Sequence, residues 1–365
     1  MSSLKLYKNA EKSAKIAGLR YVSDDQPGIR RQRWGRGFSY IDIDGTRIKD
    51  KKKRSRIEAL AIPPSWQEVW ICCDSNGHLR ATGRDLKRRK QYRYHPEWIA
   101  LRKQLKFDRL IPFAKALPKL RENIQIQLES AAKKTKSKNQ STLQKVDKQT
   151  LLAAIVKILD TSFIRIGNQQ YAQQNNAYGL TTLKKCHADI SAGQIELQFI
   201  GKSGVKRDID LEDPGLAKVI KKCEEIPGQT LFQYIDENGQ RQPIDSGDVN
   251  EYLQTTMGSA FTAKDFRTWG GTVTATQALY DIVTGRSELK DKPPEKHIIE
   301  AVKIAAKQLG NRSATCRKYY IHPGIFDAYT QGTMMSAIAQ NNSQDSTLIQ
   351  FLSEDELRTL AILTA

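Results

Sequence analysis

The sequence lacks several things that would fix a class at once. No apolar run in its 365 residues approaches the ~20 that a membrane-spanning helix needs. The five cysteines, at 72, 73, 186, 223 and 316, include no Cys-x-x-Cys pair, which argues against a disulfide framework or a zinc knuckle. The five histidines, at 78, 95, 187, 297 and 322, show no ligand spacing, and Cys186-His187 stands alone. No carboxylate cluster of the two-metal nuclease type stands out, so no resident metal is expected. The opening stretch MSSLKLYKNAEKSAK has no apolar segment of the secretory kind. A reduced, cytoplasmic location is therefore expected. Acid is scarce as well: 40 Asp and Glu face 59 Lys and Arg, for a net charge of +19. Apolar residues at 39% with 8% aromatics are enough to build a core, which excludes wholesale disorder.

The positive charge is concentrated. Residues 1–110 hold 27 Lys or Arg against 12 Asp or Glu, whereas the remaining 255 residues hold 32 against 28. A cationic module of residues 1–110 thus precedes a nearly neutral one of residues 111–365. Basic surfaces of this kind attract polyanions, of which nucleic acid is the commonest, although a solubilising surface would look similar.

The fold class predicted is α+β: a small N-terminal β-sheet domain with flanking helices, then a larger, mainly α-helical domain carrying one β-hairpin. Phe38-Ser-Tyr-Ile-Asp-Ile43 alternates, Asp44-Gly45 supplies a turn, and Thr46-Arg-Ile48 returns. Val69–Cys73 and His78–Thr82 form a second hairpin. After Gly83 the pattern reads as helical to about Phe107, interrupted at Pro96. In the second module a helical stripe from Leu151 to Phe163 is stopped by Gly167-Asn168. Ile195–Ile200 and Val205–Leu211 form the hairpin. Helices resume near Val249 and Gly271, and another stripe, His297–Leu309, ends at Gly310. Ser353-x-x-Glu356 is a capping box for a last helix. The lysine-rich segment 131–144 reads as a loop, and no repeat of fixed period is visible.

Gly201-Lys202-Ser203 invites a phosphate-loop reading, but a Walker motif needs glycine where this chain has Glu196, and a strand follows instead of a helix. No nucleotide cofactor is expected. Lys202 is then either an ordinary turn lysine or a finger that brings an ammonium to a phosphate. Metal-free chemistry at a phosphodiester needs a nucleophile, cations for the non-bridging oxygens and an acid for the departing oxygen. Tyrosine suits the first role, arginine the second and lysine the third. Arg165 in Phe163-Ile-Arg-Ile-Gly167 lies at a helix end, where it could simply cap. Arg267 in Lys264-Asp-Phe-Arg-Thr-Trp-Gly270 precedes a glycine-rich break, and Tyr319 and Tyr320 lie in a short helix ended by Pro323. Adjacent helical residues point ~100° apart, so one tyrosine alone can face a site.

Taken in order, these segments resemble the type IB DNA topoisomerases of the bacterial, poxvirus-like branch. The likeness runs from about Gly18 to Thr330 and rests on GLRYVSDDQPGIRRQRWGRGFSYID, ATGRDLKRRKQYRYHPEW, FIRIGN, FIGKSG, KDFRTWGG and LGNRSATCRKYYIHP. The resemblance implies a catalytic domain of the topoisomerase IB and tyrosine recombinase kind over residues 111–365. It implies Tyr320 as nucleophile, nine residues after Asn311; Arg165 and Arg267 as phosphate clamps; and Lys202 as the acid for the leaving 5′ oxygen. Asn311 would donate to a non-bridging oxygen where poxvirus and eukaryotic members have histidine. Gln91, Tyr92 and Tyr94 match residues that enter the major groove in poxvirus relatives. The run Arg84–Tyr94, with Arg84 and Lys90 among its cations, independently combines phosphate-binding charge with groups able to touch base edges.

The implied activity is relaxation of positive and negative supercoils through a 3′-phosphotyrosyl intermediate, without ATP, metal or other cofactor. The implied partner is double-stranded DNA, gripped by a monomer closing as a clamp, with a nucleoid-associated location and no membrane contact. Two alternatives stay open: a tyrosine recombinase, whose usual His-x-x-Arg is Lys264-x-x-Arg267 here, and an inactive DNA-binding protein of the same fold.

Overall fold

The computed structural model describes residues 3–134, 146–258, 261–288, 291–340 and 345–365. The chain divides into two compact units, Met1–Arg109 and Leu110–Ala365. The first contains helices α1 (Ser3–Lys8), α2 (Ala10–Ile16), α3 (Lys51–Glu58) and α4 (Pro96–Phe107). Between them run strands β1 (Ile29–Trp34), β2 (Gly37–Ile41), β3 (Gln67–Ile71), β4 (Leu79–Arg84) and β5 (Lys90–Tyr94). The strands form one antiparallel sheet in the order β2-β1-β3-β4-β5. Ile29, Val69, Ile71 and Ala81 of the sheet cluster with Ile48 and with Ile57 of α3.

Two sequence expectations fail in this unit. The stretch Arg84–Tyr94, predicted helical, is the end of β4, a loop and the edge strand β5. The Asp85 carboxylate accepts from the backbone N–H groups of Lys87 and Arg89 at 2.9 and 3.0 Å, turning the chain back on itself. Tyr92 and Tyr94 then alternate along one side of the strand, their rings stacked 5.7 Å apart. Pro96 does not interrupt a helix but opens α4, where its missing N–H costs nothing. The return segment Thr46–Ile48 joins β2 through a single bridge, Ile41 to Arg47.

The second unit contains α5 (Leu110–Lys134), α6 (Lys148–Ser162) and α7 (Gln169–Asn175), then β6 (Ala188–Ser191), β7 (Gln194–Ile200) and β8 (Lys206–Glu212). There follow α8 (Pro214–Glu225), β9 (Gln233–Ile235), β10 (Arg241–Pro243), α9 (Ser246–Met257), α10 (Ala263–Val283) and α11 (Pro294–Leu309). The chain ends with α12 (Ser313–Tyr319), α13 (Pro323–Thr330), α14 (Met334–Gln340), α15 (Ser346–Phe351) and α16 (Glu354–Thr364). Helix α6 is buried on nearly every side from Leu151 to Leu159, the pattern of a central helix. Helix α10 is equally interior from Asp265 to Thr272. Among the described residues no helix is long and apolar enough to cross a membrane.

The expected hairpin is present, but β6 pairs with β7 to make a three-stranded sheet, β6-β7-β8, and β9 and β10 form a further pair. The β6–β7 turn is Ala192-Gly193, and alanine at φ +39° hides a turn that Asn-Gly would have announced. Helix α6 stops at Ser162, where Phe163 turns left-handed (φ +52°), so Arg165 lies beyond the helix and does not cap it. Gly270-Gly271 is no break but the interior of α10, and Pro323 starts α13 without ending α12. Residues 131–134 of the expected lysine-rich loop continue α5, and the rest of that segment lies outside the described residues. The capping box of Ser353 and Glu356 opens α16 as read from the sequence.

Candidate active site

The C-terminal end of α11 gathers the chemistry. A helix C-terminus carries partial negative charge on its last, unpaired carbonyls. Here arginines from three other elements come to it. Arg207 of β8 donates from Nη2 to Gln308 O at 3.0 Å, and Arg267 of α10 donates from Nη2 to Leu309 O at 2.8 Å. Arg165, in the loop after α6, donates from Nη2 to Asn311 Oδ1 at 2.5 Å. Gly310, left-handed at φ +58°, ends the helix and swings Asn311 into this position.

Arg267 is buried. Its Nη1 also donates to Phe163 O, and its guanidinium carbon lies 5.2 Å from the Tyr320 ring centre. Burial, followed by the neighbouring Arg165 cation, lowers its pKa to about 10, so it stays charged at neutral pH. Burial also pulls Arg165 down, opposed by the Tyr320 side chain. Two buried donors in this cluster have no protein partner: Arg267 Nε and Asn311 Nδ2. The Asn311 amide is oriented by Arg165, which can only donate and so takes its oxygen, leaving the amide nitrogen free. Buried, unpaired donors beside cations are a site prepared for an anion.

The two glycines of α10 bring Tyr320 to that site. A Cβ on Gly270 would strike the Phe163 ring at 2.5 Å, and one on Gly271 would lie 2.7 Å from Tyr320 O. Both neighbours press directly on the helix backbone, which explains two adjacent glycines in a helix interior despite their cost. The next residue, the fully buried Thr272, accepts from the His322 N–H at 3.1 Å, fixing the backbone just past Tyr320. Tyr320 itself is the residue that leaves α12. Tyr319 is 47% exposed, so the two tyrosines part as helix geometry requires.

Lys202 sits at the tip of the β7–β8 hairpin, 5.8 Å from the Tyr171 ring of α7. A cavity of about 370 Å³ is lined by Lys202 together with Arg165, Arg267, Tyr320, Lys264 and Tyr171. Asn311 joins this set through Arg165. All five residues named from the sequence thus converge, though they are drawn from four separate parts of the unit. A larger hollow of about 650 Å³ between α5, α6 and α9 is lined by amides and the Lys148–Asp248 ion pair and includes none of them.

The groups expected to meet nucleic acid lie on β4 and β5 of the first unit. Tyr92 and Tyr94 are 45% and 38% exposed, in position to contact a ligand. Gln91 is held by Asp85 at 3.0 Å, Arg84 pairs with Glu68 at 2.8 Å, and Lys90 pairs with Asp24 at 2.6 Å. Each cation therefore has a carboxylate that a phosphate would have to displace. Sequence reasoning missed Arg207 and Thr272. Arg207 left a signal: it occupies the inward phase of β8 that Leu211 and Ile209 fill with apolar side chains.

The comparisons with known proteins agree with one another. The family model of the eukaryotic DNA topoisomerase I catalytic core matches residues 95–346, and that of the bacterial DNA topoisomerase IB N-terminal domain matches residues 37–85. DNA topoisomerase 1B of Acanthamoeba polyphaga mimivirus is 34% identical over 306 residues, covering 83% of this chain and 87% of its own. DNA topoisomerase 1B of vaccinia virus (strain Copenhagen) is 25% identical over 205 residues, 55% of this chain and 59% of its own. DNA topoisomerase 1 of rabbit fibroma virus is 23% identical over 263 residues, 70% of this chain and 74% of its own. With a match across most of its length, the chain belongs to the type IB DNA topoisomerases, isomerases that act on DNA.

Proposed function

We propose that the protein relaxes positive and negative supercoils by cutting and resealing one strand through Tyr320, with no need of ATP or metal. The observation that carries this is the pair of buried, unpaired donors, Arg267 Nε and Asn311 Nδ2, set beside Tyr320 among cations. In cleavage the Tyr320 oxygen bonds to phosphorus as the phosphorus–O5′ bond breaks. The phenolic proton is released, and Lys202 gives one to the departing O5′. Arg165, Arg267 and Asn311 hold the charge that builds on the non-bridging oxygens, where pre-aimed donors are worth most. The product is a 3′-phosphotyrosyl bond and a 5′-hydroxyl that later attacks back. One phosphodiester replaces another, so the exchange is close to thermoneutral and requires no nucleotide. Residues 1–110 serve as the DNA-binding domain and residues 111–365 as the catalytic domain of a monomer that closes on the duplex as a clamp. Arg84, Lys90, Gln91, Tyr92 and Tyr94 contact the DNA.

The test is relaxation of positively and negatively supercoiled plasmid in EDTA without ATP. The wild-type protein should relax both and leave a denaturant-trapped covalent adduct, and Tyr320→Phe should do neither while still retarding the plasmid. Retardation without relaxation by the wild type would leave a DNA-binding protein in place of an enzyme.

A further inference from the structure

The β7–β8 hairpin that carries Lys202 is a short structure with a five-residue tip. Its last ladder pairs are Phe199 with Arg207 and Ile200 with Lys206, after which Gly201–Val205 make the turn. Such a tip holds its lysine accurately only if something beyond the turn fixes the hairpin. Its inward face reads Ile195 and Leu211, then Leu197 and Ile209, then Phe199 and Arg207. The first pairs pack apolar side chains. The last places a guanidinium where a hydrophobe would continue the stripe.

That guanidinium reaches across to α11. Nη2 donates to Gln308 O, and Nη1 lies so close over Gly310 that a Cβ there would come within 2.5 Å of it. Gly310 is thus required twice, by its left-handed backbone and by the arginine lying against it. Among the described residues no carboxylate pairs with Arg207, and burial together with Arg165 weighs against its charge. The carbonyl that Arg207 binds lies one residue from the one that holds Arg267.

We propose that Arg207 is a positioning residue that ties the Lys202 hairpin to the C-terminal end of α11 and so sets the lysine at the departing 5′ oxygen. This inference rests on the reading of Lys202 as the acid. Arg207 touches no reacting atom. Its contribution is to join the wall that supplies the proton to the wall that bears Asn311 and leads to Tyr320.

The experiment separates that role from a merely structural one. Single-turnover cleavage is measured on an ordinary duplex and on one whose scissile phosphate carries sulfur at the 5′ bridging position. A thiolate leaves without a proton, so this duplex bypasses the acid. Arg207→Ala should cleave the ordinary duplex ~10²-fold more slowly, within the range of a lost general acid. It should cleave the sulfur-containing duplex within about threefold of the wild type, as Lys202→Ala should also do. Asn311→Ala, which acts on the non-bridging oxygens, should stay slow on both. Arg207→Lys, which keeps one donor, should fall between. If Arg207→Ala does not fold, Arg207→Gln carries the same comparison.

A defect in Arg207→Ala equal on both duplexes, with Lys202→Ala rescued by sulfur, overturns this inference alone. Wild-type cleavage of the ordinary duplex by Arg207→Ala overturns it as well. If sulfur fails to rescue Lys202→Ala, the acid assignment and the inference fall together.

Discussion

Asn311 shows how much one amide can be asked to do. Its oxygen anchors Arg165 and its nitrogen is left buried and unpaired, so a single side chain orients a guanidinium and keeps a donor of its own to spare. Asn311→Ala is expected to lower single-turnover cleavage by ~10²-fold, the usual cost of one oxyanion donor, with duplex affinity nearly unchanged. A filter-binding assay beside the cleavage time course checks both halves. Chemistry narrowed the candidate residues to a few types, a phenol, guanidiniums and an ammonium, and the family resemblance singled out which of them to expect together. Their partners were not. Arg165 and Asn311 stand 146 residues apart, and no local pattern announces that one orients the other.

At the level of elements, local patterns succeeded where side-chain periodicity alone decides and failed where a turn or a close approach decides. The stripe of α11 and its glycine stop were readable because burial on one face and a left-handed cap are both written in residue type. The β5 strand was read as helix because a basic run has no apolar phase to reveal its period; the turn built by Asp85 settles it. Gly270-Gly271 was read as a break because the neighbours that need the space, Phe163 and Tyr320, are distant in sequence. Gly271→Ala is therefore expected to destabilise the protein by about 1–3 kcal/mol through overpacking, seen as a lower melting temperature, and to slow cleavage by displacing Tyr320. His322 offers a second check on the same corner. Its ring nitrogen accepts from the Gly324 N–H at 3.0 Å, and burial lowers its pKa from 6.5 to about 4. The unfolded chain binds the proton more readily than the native one, so this contribution to stability is complete above pH 6.5 and is lost as the pH falls towards 4. The loss is expected to reach ~3 kcal/mol. His322→Asn, which keeps an acceptor for the helix start, should flatten that part of the stability–pH curve in denaturant titrations.

Across the whole second unit, one buried ionic knot joins elements far apart in sequence. Arg121 of α5 grips Asp160 of α6 at 2.7 and 2.9 Å and Glu356 of α16 at 2.8 Å through two nitrogens. Glu356 also accepts from Trp269 Nε1 at 2.8 Å, two residues along α10 from Arg267. Burial opposes the charge on Arg121, but the two carboxylates outweigh it and hold the guanidinium above its ordinary range. Arg121→Met would strand both carboxylates and is expected to cost about 3–5 kcal/mol, read from urea unfolding. Nothing in the sequence pattern of any single helix betrays this knot, since each member is one polar residue on a mostly apolar face. The site at the end of α11 stands in contrast to it. There three guanidiniums are held together and, among the described residues, none is paired with a carboxylate. Their mutual repulsion burdens the native state alone, because the unfolded chain lets them drift apart. On the proposed function, a phosphate entering the site would relieve a strain the protein otherwise carries by itself, since any ligand bound only by the native form shifts the folding balance towards it. The protein would then be least secure when idle, and the strand it cuts would also steady its fold.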